Sequence, residues 1–311
     1  MRVFLTGANG FIGLPTIREL VNRGHQVLAL TRSDAGETKI LSSYSSSVKA
    51  ITIVRGSTED CELITKSAAK SEGVIHLAYN HDFVGTDRAT AAKQDDAVLD
   101  ALLAGLRQNG GGIKKPLVVA GGCAGLRPAS LLKPGLATLE PLKETDAFEK
   151  TSARVQSNEK VVNAAGVRGI VMRLAPTVHG KGDPNFVTAM KAAIVKHRRA
   201  TYLGDGTNRW PATHVDDTAA ALVLALEKDQ RGYLHPIAEA GVAFKDIVEA
   251  IGASLGLEKA ESVGEDEFKE QYGWMDRVLT EDRPTNGKLT QEMLGWRPKE
   301  IGLVQDIKEN Y

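Results

Sequence analysis

Gly7, Gly10 and Gly13 stand at three-residue spacing between an apolar run, Val3-Phe4-Leu5, and a stretch with Ile17, Leu20 and Val21 on one helical side. The chemistry open to such a turn is anion binding. A first glycine allows the tight strand-to-helix bend, a second lets backbone approach a pyrophosphate without a Cβ in the way, and a third lets the helix pack against the strand. The helix then points its unpaired N–H groups and the positive end of its dipole at the phosphates. Glycine-rich turns also end strands for purely steric reasons, so the context decides. Here the helix closes at Arg23-Gly24 and a second apolar run, His25 to Arg32, completes a strand-helix-strand unit, the setting expected of a dinucleotide site.

The end of the second strand bears on which dinucleotide. An NAD site usually places Asp or Glu there for the ribose hydroxyls, whereas this chain has Thr31-Arg32-Ser33. The Arg32 guanidinium suits a 2′-phosphate, with Ser33 beside it, so NADP(H) is expected over NAD(H).

These residues need a sheet to hold them. A third strand over residues 50–55 ends at Ser57 and Thr58, short polar groups placed where an adenine ring could lie, while Asp60 reads as the N-cap of the next helix. A fourth strand over 73–78 brings Ala78 and Tyr79 to the C-terminal edge, where open α/β sheets bind ligands. His76 inside it reads as a satisfied core histidine. The pattern continues with a helix over about 88–108, a fifth strand over 116–120, an irregular segment to residue 150 with Pro128, Pro134 and Pro141, a helix over about 151–165 and a sixth strand over 169–174. This alternation predicts an α/β fold, a Rossmann-type doubly wound parallel sheet. Helices near 185–198, 216–227, 244–255 and 265–272, with short strands at 201–203 and 232–237, follow. The expected division is a dinucleotide-binding domain over 1–178 and a smaller mixed α/β substrate lobe over 179–311, with about 204–230 returning to the main domain.

Composition narrows the partners. Among 311 residues, 39 Lys and Arg balance 39 Asp and Glu, which argues against a nucleic-acid binder working by bulk charge. Cys61 and Cys123 are far apart and match no metal spacing, so they read as reduced thiols and no metal is expected. With no apolar stretch long enough for a bilayer and no signal segment before the first strand, the expectation is a cytoplasmic protein with a small-molecule substrate and no membrane partner.

Taken together, Thr6 to Gly13, Gly56 to Asp60, Val74 to Ala78, Arg173 to Gly180, and Gly204 to Pro211 running on into Thr213-His214-Val215-Asp216-Asp217 resemble the extended, atypical short-chain dehydrogenase/reductases described as NAD-dependent epimerase/dehydratase-like. The resemblance covers nearly the whole chain. It implies that Gly7, Asn9, Gly10, Phe11, Ile12 and Gly13 hold the pyrophosphate, that Leu77 and Ala78 pass under the cofactor, and that Pro176 to His179 lie beside nicotinamide and substrate. It also allows a homodimer. The family's catalytic groups are a Tyr, a Lys four residues later, an upstream Ser and an Asn on the preceding helix. This chain departs from all of them. No tyrosine occurs between Tyr79 and Tyr202; by register Arg154 replaces the Tyr and Asn158 the Lys; Ala120-Gly121-Gly122 stands where the Ser is expected; and Asp95 or Asp96 replaces the Asn.

Candidates for the chemistry are therefore His179, which titrates near neutral pH; Arg154, which can hold a carboxylate or polarise a carbonyl without exchanging protons; and Asp96. His214 could serve, but it precedes Asp216-Asp217 and reads equally as a helix cap. The expected function is an NADP(H)-dependent oxidoreductase of a small carbonyl or alcohol substrate with a non-standard proton relay. A cofactor-binding sensor or regulator, or a non-redox isomerase or lyase, would use the same fold.

Overall fold

The structure, a computed structural model, describes residues 1–80, 87–108, 114–123, 140–146 and 153–311. The glycine run at 110–112 and most of the segment expected to be irregular, including Pro128, Pro134 and Lys150, lie outside the described residues.

The chain begins with β1 (Arg2–Thr6), α1 (Gly13–Asn22), β2 (Gln26–Thr31), α2 (Asp34–Ser43), β3 (Ile51–Arg55), α3 (Cys61–Ala69), β4 (Gly73–His76) and α4 (Arg88–Arg107). It continues through β5 (Lys115–Gly122), α5 (Ala153–Val162) and β6 (Val167–Leu174). These six strands and β10 (below) form a seven-stranded sheet in the order β10-β6-β5-β4-β1-β2-β3, with every pairing parallel. The strands lack polar alternation because helices cover both faces. Successive residues divide between two cores: Val3, Leu5, Ile75, Val118, Ile170 and Met172 enter one with Ile17 and Leu20 of α1, while Phe4, Val74, Leu117, Val119 and Val171 enter the other with α3 and α4. The period of two along each strand dictates that division.

The second half supplies β7 (Thr177–His179), α6 (Phe186–His197), β8 (Thr201–Leu203), β9 (Arg209–His214), α7 (Val215–Glu227), β10 (Gly232–Leu234), β11 (Glu239–Ala243), α8 (Phe244–Ser254), β12 (Glu261–Val263) and α9 (Glu265–Tyr272). Three further helices, α10 (Asp276–Leu279), α11 (Lys288–Leu294) and α12 (Leu303–Asn310), complete the chain. α7 packs on α1 and the main sheet, burying Leu222 and Leu226 at about 1.5–3 kcal/mol each. A separate core gathers Trp210, Phe244, Phe268 and Tyr272 with α6 and α12 residues.

The small sheets depart from the sequence pattern. β11-β9-β7 was not expected as a unit, since β7 has three residues and β9 contains Pro211. A proline in a middle strand ordinarily breaks the ladder. Here the register of β11 shifts between its Glu239 and Val242 pairings, opposite Pro211, so the missing N–H falls where the ladder is already interrupted.

His235 closes the junction between the two halves. Its backbone N–H donates to Thr290 Oγ1 at 2.7 Å, its Nδ1 donates to the Asn286 carbonyl at 3.2 Å, and Nε2 accepts from Arg173 Nη1 at 3.4 Å. Burial, then the adjacent Arg173 charge, push its pKa down to about 3. The unfolded chain binds that proton near pH 6.5, so the stabilisation is full above pH 6.5 and is lost as pH falls towards 3. Between pH 6 and 4, His235→Asn is expected to flatten the stability-versus-pH slope by about 1.4 kcal/mol per pH unit, read from urea unfolding. Equal slopes would show that His235 is charged in the fold.

Candidate active site

Gly7 adopts φ +68°, and an added Cβ there would lie 2.9 Å from the backbone of both Leu77 and Ala78. A Cβ on Gly13 would lie 2.1 Å from the Gly7 carbonyl oxygen. The turn therefore admits only glycine at both positions, and its backbone is left bare to approach a phosphate. No side chain caps α1, and its first turn carries no acid. α2, α3 and α4 are each capped, by Ser33, Asp60 and Asp87. Asn9 and Phe11 and Ile12 are half-buried around the turn, and Gly10 is exposed, its N–H donating to the Gly7 carbonyl at 3.0 Å.

One hydroxyl ties this turn to the neighbouring strand. The N–H groups of Leu77 and Ala78 donate to Thr6 Oγ1 at 3.2 and 3.3 Å. With its lone pairs engaged, Thr6 gives its proton to His76 Nδ1 at 2.7 Å, and His76 Nε2 donates to Asp95 Oδ1 at 3.0 Å. The surrounding bonds fix the tautomer, and all three side chains are buried.

Arg32 is exposed beyond β2 and makes no hydrogen bond or ion pair among the described residues. Ser33 is exposed beside it, occupied in accepting from the Gly36 N–H. The nearby acids are already matched: Arg55 pairs with Asp34 at 2.7 Å and with Glu37. Lys39 donates to the Asn9 carbonyl at 3.2 Å. Ser57 and Thr58 are half-buried, and Ser57 accepts from the Glu59 N–H. These residues could hold a dinucleotide, the glycine cradle meeting its pyrophosphate.

At the C-terminal ends of β4 and β5 a second constellation forms. The Arg154 guanidinium lies over the Tyr79 ring, 3.9 Å from its centroid, and Nη2 donates to the Ala120 carbonyl at 3.1 Å. Burial lowers the Arg154 pKa, opposed by Tyr79 and Asp95. Burial raises that of Tyr79, opposed first by Arg154. One turn along α5, Asn158 is buried against Gly121. Pro176 is half-buried between β6 and β7. Sequence reasoning singled out Arg154 and Tyr79 separately but not as a pair; the signal was the absence of any tyrosine between Tyr79 and Tyr202.

Two expected catalytic residues lie elsewhere. His179 is wholly enclosed, its Nδ1 2.7 Å from Asp306 Oδ2 on α12 and its ring edge-on to His214 at 5.4 Å. Burial lowers its pKa, and α12 covers what a sheet-edge histidine would otherwise present. Asp96 pairs with Lys160 at 2.7 Å and accepts from Ser157 at 3.0 Å, in the α4–α5 seam. A helix turns about 100° per residue, so Asp95 faces the sheet and Asp96 faces α5. His214 caps α7, accepting from the Asp216 N–H at 3.2 Å. Burial pushes the Cys123 thiol up to about 12.

The fold is a Rossmann-type doubly wound sheet. Residues 3–237 match the NAD dependent epimerase/dehydratase family, and the chain belongs to that family, whose members bind nicotinamide dinucleotides. An uncharacterized protein of Saccharomyces cerevisiae is 35% identical over 316 residues, covering 100% of this chain and 99% of that protein. The 2-alkyl-3-oxoalkanoate reductase of Stenotrophomonas maltophilia is 27% identical across 73% of this chain and 66% of its own length. A 3-diazoavenalumate denitrifying reductase of a Streptomyces species is 24% identical across 96% of both. The UDP-glucose 4-epimerase of Thermotoga maritima, solved with UDP-glucose, superposes with TM-score 0.75 at 20% identity, covering 100% of this chain and 97% of its own. Among the described residues no helix is long and apolar enough to cross a membrane.

Thr6→Val keeps the shape and removes the hydroxyl, leaving the Ala78 N–H and one imidazole nitrogen without their partner and the Leu77 N–H with only the Thr6 carbonyl at 3.4 Å. The expected cost is about 1–3 kcal/mol in denaturant unfolding, with weaker dinucleotide binding, and Thr6→Ser should restore most of both. A Thr6→Val protein as stable as the parent would remove the hydroxyl from this role.

Proposed function

We propose that this chain is an NADP(H)-dependent oxidoreductase that reduces a small carbonyl compound carrying a carboxylate. The observation that carries the cofactor half is the bare glycine cradle together with Arg32, a cation with no acid of its own to neutralise it. A guanidinium in that place matches a 2′-phosphate in charge and in donor geometry. NADPH bound in the cradle would supply hydride at the ends of β4 and β5.

The substrate half rests on Arg154. It stands where, by register, the family carries a tyrosine, it spends one donor on the Ala120 carbonyl, and its remaining donors suit a planar anion. The two reductases related to this chain have names denoting carboxylates, an oxoalkanoate and an avenalumate. A carboxylate anchor common to differing redox centres is what an arginine at that position would provide. A second reading, an NADP(H)-responsive sensor, draws on the same exchange, since α5 holds Arg154 and Asn158 in place of the phenol and amine.

Arg32→Ala is expected to weaken NADPH binding about 10–100-fold, the worth of a charged hydrogen bond of about 1.5–3 kcal/mol, while leaving NADH nearly unchanged. Equal losses would sink the phosphate assignment. The activity test is a single turnover with NADPH deuterated at the transferable position, offered to 3-oxo acids, their methyl esters, aldehydes and quinones. Label in the 3-oxo acid product, and little in the ester, is expected. Firm NADPH binding with no label anywhere would favour the sensor.

A further inference from the structure

We propose that the face of the main sheet beside α3 holds a second binding site, for the anion of a medium-chain fatty acid, with the carboxylate at the N-terminal ends of β1 and β2 and the alkyl chain lying along β3. The carboxylate end is at the opposite edge of the sheet from the cofactor cradle, and the site does not rest on the reductase reading.

A cavity of about 530 Å³ opens there, within the size range of small-molecule sites. The fold accounts for it. α3 packs with α4 over Phe4 and Val74, but β3 is the last strand of the sheet, so the sheet extends past the helix. Leu28 pairs with Thr52 and Leu30 with Val54, and alternation turns all four towards the α3 side. Leu28, Val54 and Leu63 of α3 are left half-buried, with Thr52 exposed among them. That floor is largely apolar.

One end of the cavity is cationic. Arg2 opens β1, Lys49 precedes β3, and α3 ends at Lys70 with Lys66 one turn earlier. All four line the cavity, and no acid does among the described residues. Lys66 pairs with Glu62, and the Arg2 N–H donates to Glu72 Oε2 at 2.7 Å. The carbonyls that end α3, which would repel an anion, are covered: Arg2 Nε donates to that of Lys70 at 2.6 Å and Lys115 Nζ to that of Ala69 at 3.4 Å. The ammonium groups of Lys49 and Lys70 make no hydrogen bond or ion pair among the described residues.

Charge and shape together define the ligand. From residue 50 to residue 54 the strand runs about 13 Å, the reach of an extended chain of about ten carbons. An acidic peptide would match the charge but not the floor. Strand N–H and C=O groups point along the ladder rather than out of the sheet face, so a peptide's backbone groups would go unpaired over Leu28 and Val54. An alkyl chain has none to satisfy.

The test is calorimetric titration of the whole chain with hexanoate, octanoate and decanoate, beside acetate and decanol. Affinity is expected to rise about two- to fourfold per added methylene, with acetate and decanol at least about tenfold weaker than decanoate. Thr52→Glu sets a carboxylate on the floor, and Lys49→Gln with Lys70→Gln removes the two unpaired cations. Each variant is expected to weaken decanoate about three- to twentyfold, while NADPH affinity, the control for folding, stays within about twofold. No decanoate binding, a flat chain-length series, or decanol binding as tightly as decanoate would overturn the proposal. So would decanoate binding that both groove variants keep and Arg154→Ala loses, which would move the carboxylate to α5. Sedimentation covers the remaining occupant: a parent dimer dispersed by Thr52→Glu but not by decanoate would give this face to a second copy of the chain and overturn the fatty-acid site.

Discussion

The contact between the Gly7 turn and the Leu77-Ala78 strand end is the constraint on which the rest of the site depends. There is no room for a side chain between them, so the only link available is polar. Thr6 supplies it with one buried hydroxyl that serves two N–H groups and an imidazole. In a low-dielectric interior such a network is favourable when every member is satisfied and costly when one is not. Its completion through Asp95 makes the floor of the crevice rigid. The glycine turn and the β4 end then keep one geometry, as the proposed hydride transfer across both would require.

Charge is distributed to the same end. The acids near the adenosine region are matched within the fold, Asp34 and Glu37 by Arg55, and Asp96 and Asp100 on the outer side of α4 are matched by Lys160. Neutralising them locally leaves Arg32, at the end of β2, without an acidic partner among the described residues. In the proposed function, a chain with no net charge would thereby meet an anionic cofactor and substrate with local cations rather than bulk charge.

The sequence made the cradle legible because its requirements are local. Glycine spacing, a short apolar strand and a following amphipathic helix are read within thirty residues, and the parallel sheet follows from repeating that unit. The second half was readable as helices, whose period survives in isolation, and as the strands β8 and β10, but not as the β11-β9-β7 sheet: β7 is too short and β9 carries Pro211. Site residues separated along the same line. Asp95 and Asp96 differ only in helical phase, which a periodicity without fixed register cannot assign. His179 has the right chemistry and the wrong surroundings, because its partner Asp306 arrives 127 residues later. Tyr79 and Arg154 meet across the fold for the same reason, and nothing in either neighbourhood announces the other.

Exchanging a phenol for a guanidinium on α5 changes what that helix can do. A guanidinium holds an anion through several fixed donors but releases no proton near neutral pH. Binding and proton transfer, which a tyrosine with a neighbouring lysine combines at one oxygen, must then come from two places. In the proposed reaction the helix orients the substrate's charged end, and the proton comes from another element of the crevice. The division narrows the substrate. On that proposal a carbonyl and a carboxylate engage both elements only when their separation matches the gap between the guanidinium and the proton donor. On the same proposal, specificity rests on the spacing between the guanidinium that α5 places and the proton donor opposite it.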